Sequence, residues 1–197
     1  MQECELSLYY IFLLMVLLLV SIYFNIKYRS VIRKNVENEN VLIKSAYFNP
    51  VTSLPNAENI KIVISEQIDR ALRHDKSFLI IWVRIKNYHE VKLHSNVLAN
   101  EFILEASDRL IQSTRSEDII GHISEDTFVV VFNEYLENEN YNILLKRVEE
   151  AFNESPKLDT KYNIEFQIAI GKSKFPDDAK EAAALIEKAK HQAIDID

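Results

Sequence analysis

The sequence predicts an α+β domain with a ferredoxin-like antiparallel sheet and helices, preceded by a transmembrane helix and a juxtamembrane helix. Three observations predict this class. An uncharged apolar run stands near the start of the chain, a short apolar run stands in its middle, and elsewhere the apolar residues alternate between helical and strand spacing. With 197 residues, the chain has room for one membrane segment and one domain of ordinary size.

The uncharged run from Leu8 to Ile26 predicts a helix that crosses a membrane once. At about 1.5 Å per residue, it nearly spans a hydrocarbon core of about 30 Å. Basic residues follow it, which by the positive-inside rule places everything downstream in the cytoplasm. These residues are Lys27, Arg29, Arg33 and Lys34. We therefore expect a single-pass protein of the bacterial inner membrane, with residues 1–7 outside and the transmembrane helix at 8–26.

The segment at 27–47 is polar with sparse apolar residues, which predicts a juxtamembrane helix or linker and favours a parallel homodimer. Asn49-Pro50 ends this segment, because the residue before a proline disfavours the helical conformation. The globular domain is therefore expected at 48–197.

Helix and strand patterns alternate within this domain. Helices are predicted at 57–74, 97–113, 139–152 and 179–194, and strands at 77–85, 118–123, 127–132 and 164–173. The strand at 77–85 is almost continuously apolar, which predicts a central strand covered on both faces. The order of the elements gives a βαββαβ sheet flanked by two further helices, with the helices expected on one face.

Charge and composition exclude several classes of function. The net charge is −7 and no dense stripe of Lys and Arg occurs in the domain, so a nucleic acid would gain little from counterion release. Cys4 is the single cysteine, which excludes an internal disulfide and a cysteine metal cluster. The five histidines have no ligand spacing. We expect no nucleic-acid partner, no metal site and no cofactor.

Four motifs stand in the order and at the spacing of one known family. They are Tyr47 to Asn56 (YFNPVTSLPN), Asn87-Tyr88 after the central strand, the hairpin turn Ser124 to Phe128 (SEDTF), and Ile168 to Gly171 (IAIG) followed by Pro176. Together they resemble the entry motif, the end of the first strand, the signature turn and the last strand of GGDEF (diguanylate cyclase-like) domains. The resemblance covers residues 46–195 and implies a nucleotidyl-cyclase-like fold.

The same resemblance implies that catalytic residues have been replaced. Enzymes of the family hold divalent metal ions with carboxylates, but Arg84 stands at the strand carboxylate and Thr127 at the signature glutamate, while Asp126 is kept. Ser124 and Glu125 replace two glycines that let the backbone approach phosphates. We therefore predict a degenerate family member with no catalytic residue, which is not an enzyme.

The guanine-binding Asn and Asp of the family map to Lys92 and Glu101. Glu101 still offers an acceptor for a guanine N–H, whereas the ammonium group of Lys92 has donors only. This mapping adds to the prediction that the chain is not an enzyme.

One motif keeps the family pattern. Arg115 and Asp118 form an R-x-x-D that resembles the inhibitory site where cyclic di-GMP binds, and Arg147 aligns with an arginine from the following helix if the loop is one residue longer. A guanidinium can bind guanine O6 and N7 or a phosphate, and a carboxylate can accept from guanine N–H groups. The alternative is a solvated ion pair, worth about 0–1 kcal/mol.

These observations leave two main hypotheses. The first is a membrane-anchored receptor or regulator that responds to cyclic di-GMP through Arg115, Asp118 and Arg147 and signals to a protein partner. The second is a structural adaptor that binds no nucleotide in a larger inner-membrane complex, such as secretion, pilus, flagellar or polysaccharide machinery. A third, less favoured hypothesis is a domain that binds GTP without turning it over.

Overall fold

The computed structural model describes residues 2–132, 141–158 and 164–196, without the side chains of residues 2–14, 16, 30 and 35–41. The chain divides into two compact units, Met1–Lys44 and Ser45–Asp197. The described part of the first unit belongs to one long helix, α1 (Gln2–Tyr47).

The prediction of a single-pass inner-membrane protein is contradicted. In the part of the chain that the structure describes, no helix is both long enough and apolar enough to cross a membrane. Residues 8–14 and 16 of the predicted span, and the predicted outer segment 1–7, lie outside the residues whose side chains are described.

The second unit contains five helices and five strands within its described residues. The helices are α2 (Ala57–His74), α3 (Tyr88–His94), α4 (Asn96–Ser113), α5 (Tyr141–Glu150) and α6 (Ala182–His191), and the strands are β1 (Phe78–Ile85), β2 (Ile119–Ser124), β3 (Thr127–Phe132), β4 (Ile168–Phe175) and β5 (Ile194–Ile196).

All strand pairs are antiparallel, and the sheet order is β2-β3-β1-β4-β5. The predicted α+β class with an antiparallel sheet is therefore confirmed. β1 lies at the centre and pairs with β3 on one side and β4 on the other, so that Arg84 stands opposite both Thr127 and Ala169. This register brings the end of β1 beside the β2–β3 turn.

Helices cover both faces of the sheet, and not one face as expected. Alternate side chains of β1 enter two separate cores, since successive residues of a strand point to opposite faces. Leu79, Ile81, Val83 and Ile85 pack with α3, α4 and α5, whereas Phe78, Ile80 and Trp82 pack with α2 and α6.

One helix was not predicted, and one helix ends earlier than predicted. The helix predicted at 97–113 corresponds to α4, but the sequence pattern did not predict α3, which ends next to Ser95; the Ser95 hydroxyl accepts from the Leu98 N–H (3.3 Å) at the start of α4. The last predicted helix ran to residue 194, whereas α6 ends at His191 and Ile194 begins β5. The predicted start of α5 at residues 139–140 lies outside the described residues.

Gly171 allows the end of α6 to approach the sheet. A Cβ atom on Gly171 would lie 1.9 Å from the Ala189 carbonyl oxygen and 2.8 Å from the Ala193 nitrogen, both of which are backbone atoms. Gly121 on β2 faces the Ile60 side chain instead, at 2.8 Å from its Cγ1.

Gly171→Ala is expected to lower the free energy of unfolding by about 3 kcal/mol or more, because α6 must move away from the sheet to make space for the methyl group. Gly121→Ala is the matched control, with an expected loss of about 1–2 kcal/mol, because a side chain can shift more easily than backbone. Urea unfolding of both variants measures the difference. Equal losses of unfolding free energy in the two variants would contradict the close approach of α6 to Gly171.

Candidate functional site

A cleft of about 590 Å³ lies among three parts of the second unit: the entry loop (residues 45–56) with the start of α2, the α3–α4 pair, and the β2–β3 turn. Its lining includes three aromatic rings, four side-chain amides and one pair of opposite charges with a further carboxylate. These are Phe48, Tyr88 and His122, then Asn49, Asn56, Asn96 and Asn100, and then Lys92 and Glu125 with Glu58. The combination suits a ligand with a flat base and an anionic group.

The entry loop is held in place by its own asparagines. The Asn49 side-chain oxygen accepts from the N–H groups of Val51 (2.9 Å) and Thr52 (3.2 Å), which tightens the turn after Pro50. The Asn56 side chain caps α2 by accepting from the Glu58 and Asn59 N–H groups, both at 3.1 Å. The position of the loop against the cleft is therefore fixed by local hydrogen bonds.

His122 joins the entry loop to the β2–β3 hairpin. Its Nδ1 lies 3.0 Å from the Thr52 hydroxyl, its Nε2 lies 3.3 Å from the Glu125 carbonyl oxygen, and its ring stacks on Phe128 at 4.5 Å between centroids. Burial lowers the pKa of His122, although hydrogen bonds to the Glu125 and Ser124 backbone act in the opposite sense. The imidazole is therefore neutral at pH 7.

Asp126, the signature carboxylate, is engaged on both oxygens. Its Oδ1 accepts from the hydroxyls of Thr127 (2.7 Å) and Ser124 (3.2 Å), and its Oδ2 accepts from Arg84 Nε (2.8 Å). The side chain is only 9% exposed. Burial would raise the pKa of Asp126, but these hydrogen bonds and the charge of Arg84 outweigh it, so the pKa lies below its usual value.

Glu125, the neighbouring turn residue, binds Lys92 across the cleft at 2.6 Å. The hydrogen bond to Lys92 lowers the pKa of Glu125, and the same bond raises the pKa of Lys92. His89 lies 3.9 Å from Glu125 and 3.6 Å from Asp126. Three basic side chains, Arg84, His89 and Lys92, thus surround two consecutive carboxylates.

The cleft also contains two amides that sequence reasoning missed. Guanine recognition was assigned to Lys92 and Glu101, but Asn96 and Asn100 line the cleft and Glu101 is not among its lining residues. The signal was present, because Asn96 and Asn100 are four residues apart and so share one face of α4. The mapping missed it because it followed the family resemblance to two positions only, Lys92 and Glu101.

The predicted ligand residues Arg115 and Asp118 are brought together in the turn before β2. Asp118 Oδ2 accepts from the Arg115 N–H at 3.0 Å, and the Asp118 N–H donates to the Arg115 carbonyl at 3.1 Å. Both residues line a shallow pocket of about 420 Å³ whose other lining is largely apolar: Leu54, Pro55, Ile111, Ile119 and Ile120, with Thr114 and Ser116.

Arg147 lies elsewhere, on α5, and is not among the residues that line this pocket. Its Nε is buried and has no hydrogen-bond partner among the residues that the structure describes. The structure therefore brings together two of the three predicted residues.

Comparison with known families identifies the domain. The model of the family described as diguanylate cyclase, GGDEF domain, matches residues 46–195. The chain belongs to the GGDEF family. The entry loop, the end of β1, the β2–β3 turn and β4 are the positions at which the sequence motifs resembled that family.

Three similar proteins illustrate the relationship. A bifunctional diguanylate cyclase/cyclic di-GMP phosphodiesterase, MucR of Pseudomonas aeruginosa, is 22% identical over 71% of this chain, which spans only 20% of that protein. A sensory box/GGDEF family protein of Caulobacter crescentus has a TM-score of 0.68 at 20% identity, covering 74% of this chain and 94% of that one. The coiled coil and GGDEF domain of Caulobacter crescentus DgcB, solved in complex with c-di-GMP, has a TM-score of 0.68 at 10% identity, covering 82% and 86%.

Membership of this family contradicts the prediction that the chain is not an enzyme, because the family is described as diguanylate cyclase and the curated relative is named as one. The structure also places the amides of Asn96 and Asn100 in the same cleft as Lys92.

Lowering the pH from about 7.5 to about 5.5 is expected to reduce the free energy of unfolding through His122. The pKa of His122 is lowered in the folded state, so the unfolded chain takes up the proton first; this stability is present above about pH 6.5 and is lost as the pH falls below it. In urea unfolding, the free energy of unfolding of His122→Asn should fall less over this pH range than that of the unsubstituted protein. His74→Asn, an exposed control on α2, should retain the full fall; an equal fall in all three proteins would contradict the assignment.

Proposed function

We propose that this chain is a receptor in cyclic di-GMP signalling, and that the dinucleotide binds at the pocket of Arg115 and Asp118. The observation that carries the proposal is the composition of that pocket, where a guanidinium and a carboxylate stand over an apolar floor. Membership of the GGDEF family supports it, as does the complex of the Caulobacter domain with c-di-GMP.

Each part of the pocket suits one part of the ligand. The side chain of Arg115 is 49% exposed, and its planar fork can bind guanine O6 and N7 or a phosphate oxygen. The Asp118 carboxylate can accept from the guanine N1–H and the exocyclic amine. Leu54, Pro55 and Ile119 offer an apolar surface for the face of the base.

Arg147 has a secondary role in this proposal. Since it lies outside the pocket of Arg115, it meets only a ligand that extends beyond that pocket, such as the second half of the dinucleotide. Bound ligand then stabilises one arrangement of paired domains that a protein partner recognises, and the size of this shift is limited by the difference in ligand affinity between the two arrangements. An adaptor that binds no nucleotide is the alternative function.

Calorimetric titration of cyclic di-GMP into the protein tests the proposal. Arg115→Ala is expected to weaken binding about tenfold or more, because a hydrogen bond to a charged group contributes roughly 1.5–3 kcal/mol. Asp118→Asn should also weaken binding while keeping an oxygen that accepts from the Arg115 N–H. Arg73→Ala removes an exposed arginine of α2 and is the control that should change nothing.

Two outcomes would reject the receptor function. One is no heat and no thermal shift with cyclic di-GMP, which would favour the adaptor. The other is binding that Arg115→Ala and Asp118→Asn leave unchanged, which would place the ligand elsewhere.

A further inference from the structure

The family resemblance implies a divalent cation held by carboxylates at the end of the first strand and in the hairpin turn, but the residues of this chain do not fit one. Hard divalent cations need several free oxygen ligands. Asp126 has both oxygens engaged by Thr127, Ser124 and Arg84. Within the described residues, no group of three or more His, Cys, Asp and Glu side chains could hold a metal ion.

A fixed positive charge stands at this position instead. Arg84 lies on β1, whose other residues are buried, and its register against β3 holds it beside the turn. Within the described contacts, Arg84 binds Asp126 through Nε, so its terminal NH₂ groups extend from a side chain that is 47% exposed. A cation entering beside this guanidinium would be repelled by it.

Lys92 supplies a second positive charge, inside the cleft. Its partner Glu125 is exposed, so the ion pair between them is screened by solvent and opens at little cost. An incoming phosphate group can replace the Glu125 carboxylate on Lys92. Arg84 does not itself line the cleft but binds Asp126, the residue next to Glu125 in the same turn. Asn96 and Asn100 line the same cleft and offer donors and acceptors to a base.

We propose that this cleft binds a guanine nucleotide without a divalent metal ion, with Arg84 and Lys92 neutralising the phosphates in the place of the cation. Arginine and lysine both bind phosphate oxygens, arginine through its fork and lysine as a point charge. This binding is separate from that of cyclic di-GMP at Arg115, because the linings of the two pockets share no residue.

The first test is titration of a non-hydrolysable GTP analogue into the full chain, once with excess magnesium and once with EDTA. The dissociation constants should agree within about threefold, or be lower in EDTA, where magnesium does not compete for the phosphates. No binding in either buffer, or a loss of about tenfold or more in EDTA, would overturn the proposal.

Glu125→Gln distinguishes a metal-free phosphate site from a site that holds a metal ion through carboxylates. Since it releases Lys92, it should tighten binding of the analogue about two- to fivefold, whereas removal of a metal-binding carboxylate would weaken binding. Glu58→Gln is the matched control, because Glu58 lines the same cleft and loses the same charge but pairs with Lys61. Weaker binding in Glu125→Gln, or an equal gain in both variants, would overturn the role of the Lys92–Glu125 pair.

Arg84→Gln should weaken binding in EDTA about tenfold or more, and Arg84→Lys should recover part of the loss because it keeps the charge. Unchanged binding in Arg84→Gln would overturn the proposal. If Arg84→Gln lowers the melting temperature so far that it cannot be titrated, the exposed Glu125→Gln variant decides. Arg73→Ala, which lies outside the linings of both pockets, should leave binding of the analogue unchanged. Because the two ligands are titrated separately, failure of the cyclic di-GMP proposal and failure of this one are distinguishable.

Discussion

The burial of β1 on both faces is the constraint on which the rest of the domain depends. Leu79, Ile81 and Val83 point into one core, and Phe78, Ile80 and Trp82 point into the other. A shift of one residue in register would exchange the two sets and carry Arg84 to the opposite face. The close fit of side chains in both cores therefore fixes the strand, and with it the position of the charge at its end.

The register of β1 against β3 determines which charged side chains surround the hairpin turn. Arg84 stands opposite Thr127, and both donate to Asp126. The carboxylate that the family keeps is thereby bound to the sheet, whereas the neighbouring Glu125 is exposed and contacts Lys92 and His89. The side chains of these two consecutive acidic residues therefore differ in how freely they can move, although nothing in the sequence distinguishes them.

The sequence predicted most of the fold because the periodicities were strong. β1, the β2–β3 hairpin and α2 lie close to the predicted bounds, since their apolar residues repeat at regular intervals. The short helix α3 and the short strand β5 were not predicted, because α3 has only seven residues and Ile194–Ile196 is placed by pairing with β4. Local patterns do not report such tertiary contacts.

The candidate site was less predictable than the fold. Family motifs located the turn and the R-x-x-D pair, but the engagement of Asp126 by three donors depends on side chains that are remote in sequence, such as Arg84. The single-pass topology was predicted from an uncharged apolar run and the basic residues after it, whereas no described helix is both long enough and apolar enough to cross a membrane. Residue identity at a motif position therefore says less than the contacts which that residue makes.

The entry loop forms a wall of both pockets. Its residues Phe48 and Asn49 face the cleft, whereas Leu54 and Pro55 line the pocket of Arg115, and the Pro55 carbonyl accepts from the His122 N–H at 2.8 Å. Any ligand that displaces this loop on one side alters the wall on the other. By thermodynamic reciprocity, occupancy of each pocket then changes the ligand affinity of the other pocket by the same factor, so the twelve residues of the entry loop couple the two pockets.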